Sequence, residues 1–172
     1  ALVIISLGAG VNQLPLIKLA TDLGYKVLAI DINPHTQCFN IASEVLVHSI
    51  YDAEGLIKEI GARYFDGILC RSSGEALLTS AKLNEHFGLS GINYELAKIS
   101  TSKSALREFC INKKIRMPRG IKSSNKSGVI NTKEFSDYIV IKPDFTLIGK
   151  KSIKKISVYD DLLIRESIEF AA

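Results

Sequence analysis

The stretch Leu2-Val3-Ile4-Ile5-Ser6-Leu7-Gly8-Ala9-Gly10-Val11-Asn12-Gln13 decides the fold. The run from Leu2 to Leu7 is almost wholly apolar and stops at Gly8, the pattern of a strand buried on both faces of a parallel sheet. The glycines that follow permit a tight turn and a close backbone approach just ahead of a helix, a ready place for an anion. Leu14, Ile17 and Leu19-Ala20 then recur near helical spacing up to Gly24, and Lys26-Val27-Leu28-Ala29-Ile30-Asp31 supplies a second strand. Together they make a βαβ unit.

Outward from that unit the alternation continues. Val45-Leu46-Val47 and Gly67-Ile68-Leu69-Cys70 read as two further strands, with helices expected over 53–60 and 75–87. The order predicts a doubly wound α/β fold, a parallel sheet with helices on both faces. Ligands of such sheets bind outside the carboxyl ends of the strands, which directs attention to the loops after Leu7, Ile30 and Cys70. The first loop offers Gly8, Gly10 and Asn12 as substrate-binding candidates. It departs from a dinucleotide fingerprint because Gln13 stands where a third glycine belongs, although Asp31 closes the second strand where an acid would meet a ribose. The third loop, Arg71-Ser72-Ser73-Gly74-Glu75, adds Ser73 as a candidate; the plainer reading has Ser72 or Ser73 capping the next helix.

The 172 residues are 47% hydrophobic and 23% charged, which excludes a disordered or fibrous chain. No apolar run reaches the roughly 18 residues a membrane span needs, and no secretory leader opens the chain. Cys38, Cys70 and Cys110 form no CxxC pair, so reduced thiols and a cytoplasmic location are expected. His35, His48 and His86 fall in separate segments and are read as structural or surface residues, and no metal ligands are assigned. Ala1 in place of an initiator Met suggests trimming.

Charge divides the chain. Residues 1–99 hold 7 Lys and Arg against 10 Asp and Glu, net −3, whereas residues 100–172 hold 15 against 8, net +7. A basic half favours phosphate as a partner, on a nucleotide or a nucleic acid. This half opens with a capped helix, Ser100-Thr101-Ser102-Lys103-Ser104-Ala105-Leu106-Arg107-Glu108-Phe109-Cys110, with Leu106, Phe109 and Cys110 expected to face inward. Lys103 sits in its first turn against the helix dipole, a small penalty relieved where the amine reaches an anion. Met117-Pro118 begins an extended segment, and Tyr138-Ile139-Val140-Ile141-Lys142 is a strand stopped by Pro143. Gly149-Lys150-Lys151-Ser152 separates it from Ile153-Lys154-Lys155-Ile156, a hairpin with a cationic turn. Residues 160–172 finish as an amphipathic helix with Leu162, Leu163, Ile168 and Phe170 among its apolar positions.

Gly8-Ala9-Gly10 after the first strand, Asp31 closing the second, Thr101-Ser102-Lys103 opening a helix, Met117-Pro118, Val140-Ile141-Lys142-Pro143 and the turn at Gly149-Lys150 together resemble the front part of an ATP-grasp ligase. The order is similar to the carbamoyl-phosphate synthase large-chain and biotin-carboxylase-like branch. The resemblance covers nearly the whole chain. It implies a Rossmann-like pre-ATP-grasp domain over 1–99 and the first, small α+β subdomain of an ATP-grasp domain over 100–172. It implies an ATP-dependent carboxylate–amine or related ligase that activates a carboxylate as an acyl phosphate, with ATP and magnesium as cofactors and small-molecule acid and amine as substrates. Lys103 and Lys142 would hold ATP, with Gly149 and Lys150 in the loop closing on its phosphates; family loops of this kind carry more glycines than the segment around Gly149. The hinge strand and the Glu and Asn ligands for magnesium would lie after Ala172, so these residues alone are not expected to catalyse ligation.

Three other readings stay open at this point. A nicotinamide-dependent Rossmann enzyme would use Gly8, Gly10 and Asp31. A non-catalytic relative would bind a nucleotide only. A nucleic-acid module would use the basic stretch from Lys103 to Lys155, against which stands the lack of an aromatic stacking platform or recognition helix. Assembly into a homo-oligomer is left open as well.

Overall fold

The computed structural model describes residues 1–122, 135, 137–145 and 153–171, the last three without their side chains. The chain folds as two compact units, Ala1–Thr101 and Ser102–Ala172. Among the described residues, no helix is long and apolar enough to cross a membrane.

The first unit is an α/β sandwich around a parallel sheet. Strands β1 (Val3–Leu7), β2 (Lys26–Asp31), β3 (Glu44–Val47) and β4 (Gly67–Leu69) lie in the order β3-β2-β1-β4. In the centre Ile5 pairs with Leu28 on one side and with Ile68 on the other. Alternation splits the apolar runs between two cores. Ile5, Leu7, Leu28 and Ile30 pack with Leu56, Ile60, Phe65 and Leu83 from the segment that holds α2 (Ala53–Ile60) and α3 (Glu75–Phe87). Ile4, Val27 and Ala29 pack with Ile17 and Ala20 of α1 (Leu14–Asp22) on the opposite face. With helices on both faces, β1 and β2 can be apolar throughout.

Local chemistry sets the helix ends. Pro15 sits at the start of α1, where its missing N–H costs nothing. The Asp52 carboxylate accepts the Gly55 N–H at 2.9 Å and opens α2, while Gly88, at φ +64°, closes α3 in the left-handed region. Two expectations fail here. The residue capping α3 is Gly74, with no side-chain hydrogen bond, so neither Ser72 nor Ser73 caps it. Leu19 is 55% exposed on the outer face of α1. A helix the periodicity did not reveal, α4 (Tyr94–Thr101), absorbs Ser100 and Thr101, so the next helix starts later than expected. Cys38, Cys70 and Cys110 are free thiols.

The second unit holds α5 (Lys103–Asn112), an antiparallel pair β5 (Tyr138–Ile141) and β6 (Lys154–Ser157), and α6 (Asp161–Ala171). A two-stranded sheet needs a helix against it, and α6 supplies one. Ile139 pairs with Ile156, and these pack with Ile141, Leu163, Ile164 and Ile168. Tyr138 and Val140, one residue out of phase, face outward. Leu162 is also exposed, and Phe170 lies outside the described side chains. Leu106 is 41% exposed and α5 buries no residue fully, contrary to the inward face expected of it. The turn at 149–152 lies outside the described residues.

Candidate functional site

The start of α5 and the end of β5 meet in the second unit. Ser102 caps α5 in extended conformation, its hydroxyl accepting the Ala105 N–H at 3.1 Å. Asp144, two residues beyond Lys142, reaches into the same turn. One carboxylate oxygen accepts the Ser104 N–H at 2.6 Å; the other accepts the hydroxyls of Ser104 at 2.8 Å and Ser102 at 2.9 Å. A carboxylate of the chain itself thus stands at the start of α5, although Lys103 does not bond to it. Its main-chain N–H and its Nζ go instead to the Asp144 carbonyl oxygen, at 3.3 and 2.9 Å.

These contacts bring Lys103 into the electrostatic neighbourhood of Lys142. Partial burial holds the Lys103 ammonium below the usual lysine range; the Asp144 charge opposes that, and the positive charge of Lys142 adds to the depression. Lys142 itself is exposed where β5 ends. A cation pressed by a second positive charge gains from a polyanion placed beside it. Gly149 and Lys150 lie outside the described residues. A shallow hollow of about 280 Å³ opens beside α5, lined by Ser104, Arg107, Glu108, Ile111 and Lys122. Its Arg107 is turned to the Pro118 carbonyl at 2.7 Å, and neither Lys103 nor Lys142 lines it.

In the first unit the loops after β1 and β4 are neighbours because their strands pair, at the point where the chain reverses its direction across the sheet. Gly8 is buried with φ +93° and donates to the Ile30 carbonyl at 2.9 Å. Gly10 is half-buried, while Asn12 and Ser73 are exposed. The Arg71 guanidinium donates to the Asn12 carbonyl, and the Gln13 amide reaches the Arg71 carbonyl at 3.5 Å. Gly8, Asn12, Gln13 and Arg71 thus form one cluster; Ser73 shares its loop with Arg71. Asp31 accepts the Ala9 N–H at 2.9 Å and the Asn33 N–H at 3.0 Å. The carboxylate that a ribose would need is occupied in tying the first loop to β2, which weighs against the nicotinamide reading.

His48 has carboxylate neighbours that its sequence context did not suggest, Asp52 at 3.8 Å and Glu59 at 3.7 Å from Nε2. Among the described residues, no three His, Cys, Asp or Glu side chains converge to hold a metal ion. The described residues therefore offer no ligand set that fits magnesium. Asp144 is the residue that sequence reasoning missed. Its only signal is its place after Lys142-Pro143, and the partner serines lie about forty positions earlier.

No protein-family model and no curated protein matches the sequence. Solved structures do match its fold. Phosphoribosylglycinamide synthetase from Anaerococcus prevotii aligns at a TM-score of 0.71 and 20% identity, over 94% of this chain and 40% of that one. N5-carboxyaminoimidazole synthetase from Staphylococcus aureus, complexed with ADP, aligns at 0.77 and 18% identity, over 99% of this chain and 46% of that one. The biotin carboxylase domain of Hydrogenobacter thermophilus 2-oxoglutarate carboxylase, in complex with MgADP, ADP and bicarbonate, aligns at 0.68 and 18% identity, over 94% and 38%. The chain spans less than half the length of these proteins. It has the fold of the amino-terminal portion of ATP-grasp enzymes, an α/β unit around a parallel sheet followed by a second unit of helices and an antiparallel strand pair.

Proposed function

We propose that this chain is the amino-terminal portion of an ATP-dependent carboxylate–amine or related ligase, in which Lys103 and Lys142 hold the nucleotide phosphates. The observation that carries the reading is the junction of α5 and β5: Lys103 Nζ is bonded to the carbonyl of a residue two positions from Lys142. The Lys103 amine is thereby held near the end of β5, within electrostatic reach of Lys142. The fold shared with enzymes solved with ADP supports the same reading.

ATP would supply the phosphoryl group that a substrate carboxylate oxygen takes from it, leaving ADP; the amine then attacks the acyl carbon and phosphate departs. What these residues contribute is charge and position. An ammonium group held in place before the nucleotide arrives, as Lys103 is, would offset negative charge on the phosphate oxygens without reorganisation during the reaction, the larger part of what phosphoryl transfer asks of a protein. Gly8, Gly10 and Asn12 of the first loop, with Ser73 of the loop that carries Arg71, would bind the acid or acceptor at the sheet's carboxyl edge.

Calorimetric titration with ADP tests the reading. Each lysine makes a charge-assisted bond worth about 1.5–3 kcal/mol, so Lys142→Ala should weaken ADP by roughly 10- to 100-fold. Unchanged affinity would remove Lys142 from the site. Nucleotide binding without turnover in the full-length protein, given carboxylate and amine substrates, would favour a binding-only relative.

A further inference from the structure

We propose that Asp144 is a positioning residue for the phosphate-binding lysines, fixing Lys103 beside the end of β5 while leaving its charge available to a ligand. The proposal rests on the reading of Lys103 and Lys142 as nucleotide ligands.

The first turn of a helix exposes N–H groups that attract anions. In α5 that attraction is already answered, because Asp144 takes the Ser104 N–H at 2.6 Å and the hydroxyls of Ser102 and Ser104. A phosphate arriving here is turned away from the helix end and left to the amines. The carboxylate is also shared among three donors from α5 and its cap, so α5 and the residue after Lys142-Pro143 move as one piece.

The division of labour within Asp144 matters as much. Its carboxylate holds the serines, and its neutral carbonyl holds Lys103 Nζ at 2.9 Å. A direct carboxylate–ammonium pair would spend the lysine's charge internally. A carbonyl fixes one of the three donors and leaves the net charge in place. The bonds from Ser104 and Ser102 favour the ionised carboxylate, and Lys122, whose Nζ lies 3.3 Å from Ser104 Oγ, adds a smaller push in the same direction.

The test compares the unsubstituted protein with Asp144→Ala, Asp144→Asn and Lys142→Ala. ADP affinity is read by calorimetry, and the Lys103 titration by NMR of its labelled side chain. Asp144→Ala should weaken ADP at least tenfold and move the Lys103 midpoint down, since a favourable charge is lost. Asp144→Asn can still accept the Ser104 N–H and should recover most of the affinity; this rescue also keeps the test valid should Asp144→Ala fold poorly. ADP affinity within twofold of the unsubstituted protein in Asp144→Ala, with Lys142→Ala impaired, would overturn the positioning role alone. Absence of ADP binding by the unsubstituted protein would overturn the nucleotide reading and this proposal with it.

Discussion

Lys103 Nζ donates to the main-chain carbonyl of Asp144 at 2.9 Å, and the carboxylate of the same aspartate takes the Ser104 N–H at 2.6 Å. One residue after a strand therefore fixes both the backbone and the side chain of a helix start. The stability of this junction therefore depends on the ionisation of Asp144.

Burial alone would raise the Asp144 carboxyl, yet the bonds from the Ser104 N–H and hydroxyl, the Ser102 hydroxyl and the Lys122 charge outweigh it and hold it below the usual range. A group depressed on folding adds stability above its unfolded value, about 3.9 for Asp, and loses that contribution as pH falls through the folded value. The Ser102–Ala172 unit should thus melt at progressively lower temperature below about pH 4. In Asp144→Asn this acid-side slope should flatten. Melting curves of both proteins, taken between neutral pH and about pH 2.5, check it, and equal slopes would contradict the assignment.

Gly8 has a φ of +93°, and a Cβ there would lie 3.1 Å from the Gln13 side chain. Gly8→Ala should cost about 1–3 kcal/mol in urea unfolding, from backbone strain and crowding together. Adding Gln13→Ala removes the crowding and leaves the strain, so recovery should be partial. Full recovery would mean that the φ value is not a constraint.

Asp31 should behave as a structural residue. Asp31→Ala leaves the N–H of buried Ala9 without its acceptor, whereas water replaces the bond to the exposed Asn33 N–H, and should lower stability by about 1–3 kcal/mol. The unsubstituted protein should show no calorimetric response to NAD. Measurable NAD affinity that Asp31→Ala abolishes would restore the nicotinamide reading.

The parallel sheet was legible because β1 and β2 are covered on both faces and so appear as nearly continuous apolar runs around Ile5 and Leu28. The α4 helix was not, because Ala97 is its one fully buried residue and its last turn, Ser100-Thr101, merges in sequence with the Ser102 cap of α5. Lys103 could be singled out by its place in the first turn of a helix, and Lys142 through the resemblance carried by Val140-Ile141-Lys142-Pro143. Asp144 could not, since its partners are distant in sequence and no local period links them. Ser73 was readable as either cap or ligand residue, and only the fold, with Gly74 as the cap, removes the first option.

The most direct measurement is a calorimetric series of AMP, ADP and ATP against the unsubstituted protein and the Lys103→Ala, Lys142→Ala double variant. Affinity should climb with each added phosphate in the former and become nearly flat in the latter. A double variant that binds ATP as tightly as the unsubstituted protein, with the same dependence on phosphate number, would contradict the account.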